Sequence, residues 1–215
     1  ITSYLGQNLQ YTLEASFQTW HTDEGDDPDA PITHEHMNHA RLCVALVTVC
    51  GNVVRDILRT QVPPNTDIHK AILANKSKLT RKQGRPLLNP DQMQLVFPDP
   101  HGQTTGNVDK FDLSLLYTLI RNISTVPAPV TGWGNDPQDQ PRDRSLGASV
   151  ERIRSYRNHI SGHSPDGKMN QQDFIEYWNK IDAVLDDIEH ALGRQGYRSQ
   201  LEKQKRQVIS VYEAC

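Results

Sequence analysis

Arg157, Asn158 and His163, within the run Arg154-Ser-Tyr-Arg157-Asn158-His159-Ile-Ser-Gly162-His163, are the residues best suited to chemistry in this chain. A guanidinium keeps its charge at any ordinary pH and offers a planar fork of donors. An amide beside it adds one donor and one acceptor. A histidine with an ordinary pKa of about 6.5 takes up or gives back a proton near neutrality. Together at a helix end, such groups can grip a phosphate and move protons.

The spacing of Leu146, Val150, Ile153 and Ile160 predicts a helix from about Leu146 to Ser161 with one apolar face. Arg157 falls on that stripe, so it is expected to be sheltered and to need a partner. Gly162 can stop the helix, leaving His163 beyond its end and free to fold back. Further helices are predicted at residues 1–20 and 33–60, the second with Leu42, Leu46, Val49, Val53 and Ile57 inward and Pro63 and Pro64 as its stop. Short helical pieces are expected at Asp67–Ala74 and Asp91–Phe97. Phe111–Ile123 reads as a central buried helix. Asn170–Leu192 presents Phe174, Tyr177, Trp178, Ile181, Leu185, Ile188 and Leu192 as its apolar face. Tyr197–Tyr212 reads as a polar, basic helix. Residues 21–31, acidic and with two prolines, read as a linker. Residues 125–145, with four prolines and two glycines, read as a long loop around Thr131-Gly-Trp-Gly134. No strand-like alternation and no internal repeat stands out. The expected division is an N-terminal helix and linker at 1–32, a helical domain at 33–195 and a C-terminal basic helix at 196–215.

The chain has 215 residues, 36% of them hydrophobic, with a mean hydropathy of -0.65. No run approaches the roughly 20 apolar residues that span a bilayer. The first residue is Ile1, and the chain reads as a piece of a larger protein or a processed product. Cys43 and Cys50, seven apart on one predicted helix, lie about 10 Å apart along its axis, too far to bond. A reducing, cytoplasmic setting is the simpler expectation. The net charge of -3 does not advertise nucleic-acid binding. Its distribution is more telling: Lys76 to Arg85 holds five basic groups and no acid, and Arg142, Arg144, Arg152, Arg154 and Arg157 form a second concentration. His34, Glu35, His36 and His39 have metal-binding atoms, but no later pair at zinc spacing completes a set. Neither a metal nor another cofactor is expected. Trp133, between two glycines, suits either stacking on a base or plugging its loop onto the core.

The order "FDLSLLYTLIRNI", "TGWG", "IRSYRNHISGH", "FIEYWNKIDAVL" resembles the HEPN superfamily (higher eukaryotes and prokaryotes nucleotide-binding). Within it, the resemblance is to the variant named after the DAZ-interacting zinc-finger ubiquitin ligase. It covers roughly residues 36–192 and is not visible in the last helix. It implies an all-α HEPN-like helical bundle that dimerises through the motif helix. Many members are metal-independent endoribonucleases, and others are RNA-binding or protein-interaction modules. Arg157 and His163 match the catalytic pair, and Asn158 the polar residue that follows the arginine. His159 is less typical of its position, and its ring can disturb His163 or share its task.

The reaction so implied is transfer within RNA, giving a 2′,3′-cyclic phosphate and a 5′-hydroxyl. Arg154, Arg152, His159 and Trp133 are the expected further RNA contacts. The competing expectation is a non-catalytic oligomerisation or interaction module of a larger signalling or ubiquitin-ligase protein. The blandest reading of the motif itself is an Arg157 ion pair to a neighbouring helix and a His163 cap.

Overall fold

A computed structural model of the chain describes residues 33–80, 87–99, 101, 103–137, 142–162 and 166–212, with side chains through Lys205. The expected helix at 1–20 and linker at 21–31 lie outside the described residues, as does His163. All regular structure among the described residues is helical, as the sequence predicts. No helix among them is long and apolar enough to cross a membrane.

The helices are α1 (His34–Ala45), α2 (Gly51–Thr60), α3 (Ile68–Ala74), α4 (Lys76–Leu79), α5 (Pro90–Val96), α6 (Leu113–Ile123), α7 (Leu146–Gly162), α8 (Gln171–Leu192) and α9 (Tyr197–Tyr212). The predicted helix at 33–60 is α1 and α2 joined without a turn by a π-helical stretch, Leu46–Cys50. Its five predicted inward residues are all buried. A π-helical stretch adds a residue to the turn and leaves the apolar spacing readable as one helix.

The described residues form two compact units, one drawn from within 1–49 and 155–215 and the other from within 50–154. In the first, α1 packs on α8 and α9, and α8 on α9. Leu42, Ala45, Phe174, Trp178, Ile181, Leu185, Ile188 and Leu201 are buried there. Thr33 caps α1, and His36 fills the place of a glutamate in its capping box: Thr33 N–H donates to His36 Nδ1 at 3.0 Å. Asn170 caps α8 through Asp173 N–H at 2.9 Å, and Gly193, at φ 61°, closes it in the left-handed conformation. Glu189 Oε1 then accepts the N–H groups of Gly196, Tyr197 and Arg198, which begin α9.

In the second unit α2 and α3 pack on α6. Asp112 caps α6 through Leu115 N–H at 2.7 Å. Arg55 ties α2 to the segment before α6, donating to Val108 O at 3.0 Å and Phe111 O at 3.1 Å. Residues 147–153, the first half of α7, are buried on every side. Gly147 is required there, because a Cβ would stand 2.2 Å from the carbonyl oxygen of Pro127.

Candidate nucleic-acid interface

The motif helix carries three arginines in three different environments. Arg152 is buried (2% exposed) and donates to the carbonyl of Asp143. This departs from the expectation of an RNA contact: the guanidinium is turned inward and holds the preceding loop. Arg154 pairs through Nε with Glu151, whose side chain is fully buried. Glu151 also accepts from Tyr117 Oη at 2.8 Å, and Arg154 lies over the Tyr117 ring at 5.2 Å. Arg154 donates to Gly134 O at 3.3 Å as well. Its charge is therefore spent inside the chain.

Arg157 is the third. It sits on the stripe of Val150, Ile153 and Ile160, which are buried, yet it is only half-buried itself. The arginine expected to be sheltered is sheltered only in part. Its Nη1 donates to Asn158 Oδ1 at 3.0 Å, and among the described residues no carboxylate pairs with it. The bland reading of an ion pair to a neighbouring helix thus finds no acid among those residues. Asn158 is exposed and orients the fork while adding no charge.

His159 is exposed, and its ring stacks on Tyr177 of α8 with centroids 5.3 Å apart and planes 30° from each other. Tyr156 meets the same tyrosine edge-on at 5.9 Å and 76°. Tyr177 was expected on the apolar face of α8. It is half-buried, while Phe174, Trp178 and Ile181 fill the core. The helix is assigned through Gly162, and the expected return of His163 toward Arg157 lies outside the described residues.

Trp133 does not stand clear of the protein. Its ring packs edge-on against Tyr117 at 5.9 Å and 80°. Gly132 and Gly134, at φ 79° and 90°, give the loop the turns that bring it there. Trp133 and Tyr117 are both half-buried.

His39 is the functional-looking residue whose place the sequence did not suggest. It is buried, and its Nε2–H donates to the carbonyl of Ile160, near the end of the motif helix, at 3.1 Å. Burial lowers its pKa below the usual 6.5, while the Ile160 carbonyl and Asp166 act in the opposite direction and His36 adds to the lowering. Cys43 Sγ lies 3.7 Å from the same ring nitrogen. The carbonyl is an acceptor only, so Nε2 carries the hydrogen. His36 is engaged with Thr33, and no group of three metal-binding side chains forms among the described residues.

The family described as DZIP3/hRUL138-like HEPN matches residues 65–211. The chain belongs to this HEPN family. The match reaches into α9, where the sequence motifs carried no sign of it. Over 161 residues this HEPN chain is 25% identical to E3 ubiquitin-protein ligase DZIP3 of Homo sapiens and 26% identical to that of Mus musculus. These matches take in 73% of the chain, which spans only 13% of the length of either ligase. No solved structure matches it.

Proposed function

We propose that this HEPN domain, taken as residues 33–195, binds single-stranded RNA and, as a homodimer through α7, cleaves it without a metal. The observation that supports the reading is Arg157. It is a half-buried guanidinium in the family motif, oriented by an amide and paired with no carboxylate among the described residues. A phosphodiester supplies the missing anion, and the planar fork suits two of its oxygens.

In the proposed reaction the ribose 2′-oxygen attacks the adjacent phosphorus and the bond to the 5′-oxygen breaks. The 2′-hydroxyl proton goes to a base, and the leaving 5′-oxygen receives one from an acid. His163 suits either role, and a dimer bringing two copies together fills both. Arg157 stabilises the charge that develops on phosphorus, and Asn158 holds the guanidinium. RNA provides its own nucleophile, so the proposed reaction uses no cofactor. The proposed setting is the cytoplasm, within a larger protein.

A second reading rests on the relatives, both named as ubiquitin ligases and both far longer than this chain. It makes the domain a non-catalytic interaction or oligomerisation module of a larger signalling or ubiquitin-ligase protein. The purified chain is incubated with single-stranded RNA in EDTA, beside Arg157→Ala and His163→Ala. Cleavage by the native chain alone supports the ribonuclease. Equal cleavage by all three exposes a contaminating nuclease. Binding without cleavage leaves an RNA-binding module, and a dimer that neither binds nor cleaves RNA favours the second reading.

A further inference from the structure

We infer that Asn38 and His39 of α1 are positioning residues for the proposed cleavage, holding the backbone on either side of the segment that bears His163; this rests on the ribonuclease reading above. On one side, His39 Nε2–H donates to Ile160 O at 3.1 Å. Ile160 is two residues from the end of α7, where helix carbonyls run out of donors in their own helix. On the other side, Met169 N–H donates to Glu35 O at 3.1 Å, and Asn38 Nδ2 donates to Met169 O at 3.4 Å. The same amide nitrogen donates to Gln171 Oε1, at the start of α8, at 3.0 Å. Residues 35, 38 and 39 share one face of α1, being three and four positions apart. One turn of α1 therefore grips both ends of the connection from α7 to α8. His163 belongs to that connection, three residues past Ile160 and six before Met169. Covalent reach alone keeps it near the two held points.

Cohesion alone does not call for these side chains. Asn38 and His39 are both buried, and a buried polar group costs stability unless its hydrogen bonds are made. Apolar residues would join α1 to its neighbours without that cost, but apolar contact has no direction. A hydrogen bond to a chosen carbonyl fixes a distance and an angle. An acid–base group needs such a frame, since a displacement of about 1 Å can cost about a hundredfold in rate. Both side chains are buried, so neither is available to a bound RNA. They act through the backbone they hold, and RNA affinity stays with Arg157.

The test is single-turnover cleavage of a short single-stranded RNA by the full chain, with binding measured separately. His39→Leu and Asn38→Leu should lower the rate at saturating RNA by about ten- to a hundredfold and leave the dissociation constant unchanged. His39→Gln, which keeps a donor for Ile160, should recover most of the rate. Circular dichroism and urea midpoints fix a temperature at which every variant is folded. Should His39→Leu fail to fold, His39→Asn, whose amide is too short to reach Ile160, reads the same loss. Ile57→Val, a core truncation in the other unit, should lower the urea midpoint and leave the saturated rate alone. Native rates in His39→Leu and Asn38→Leu overturn the positioning role and leave the ribonuclease reading standing. So does a loss that His39→Gln fails to recover, or one shared by Ile57→Val, or one that appears as weaker binding. A native chain that cleaves no RNA overturns both.

Discussion

Arg152, Arg154 and Arg157 lie within two turns of one helix, and what each guanidinium meets decides its use. Arg152 meets a backbone carbonyl and Arg154 a buried carboxylate, whereas Arg157 meets a neutral amide. Replacing Arg157 by lysine keeps the charge and loses the fork. In single-turnover cleavage, Arg157→Lys should therefore be slower by about a hundredfold, as the loss of one oriented donor implies, with unchanged thermal stability. His39 sets a different expectation. Its folded pKa lies below 6.5, so the unfolded chain takes up a proton near 6.5 that the folded chain refuses. Stability should be full above that pH and fall as the pH drops toward the folded value. Urea midpoints at pH 7.5 and 5 should show the decline, and His39→Gln, which keeps a donor for Ile160, should flatten it. Burial also pushes the thiols of Cys43 and Cys50 up, to about 11 and about 12. Iodoacetamide at pH 8 should modify neither in the folded chain and both in urea.

At the scale of the elements, α7 depends on a close approach that only glycine allows. Alanine at 147 improves helix propensity by about 1 kcal/mol. It also drives a methyl group into a backbone carbonyl that has little room to yield. Gly147→Ala should lower stability by about 1–3 kcal/mol, read as a fall in the urea midpoint. Most helices were legible because their apolar spacing and caps are local. Asp67, Asn89, Asp112 and Asn170 each cap a helix beginning at the next residue. The π-helical stretch was not legible, since Leu42, Leu46, Val49, Val53 and Ile57 keep a helical rhythm across it. Nor was the seat of Arg152, which depends on a carbonyl in the preceding loop. His39 looked like one member of a histidine group because its partner, Ile160, lies 121 positions away. Tyr177 was read as core because its place on the apolar stripe is right. Two rings from α7, Tyr156 and His159, meet it there instead.

For the whole molecule, the engagement of Arg152 and Arg154 changes what salt should do. The basic concentration at Arg142–Arg157 suggests a steep loss of RNA affinity with salt. Two of its five arginines are committed internally. We expect a shallow slope, about -1 to -2 in log affinity against log salt for a single strand, measured by titration at several salt concentrations. Family membership was legible from four short runs in order, because those runs hold both the core spacing and the motif. The extent of the family match into α9 was not, because that helix is polar and carries few landmarks. The two compact units part between Val49 and Cys50 and again between Arg154 and Ser155, and both junctions fall inside continuous helix. A protease needs backbone it can straighten, and neither junction supplies any. Trypsin should thus leave the Arg154–Ser155 bond whole in the native chain while nicking exposed loops. Any shortened version cut at either point would begin or finish on a severed helix with up to four stranded amides or carbonyls.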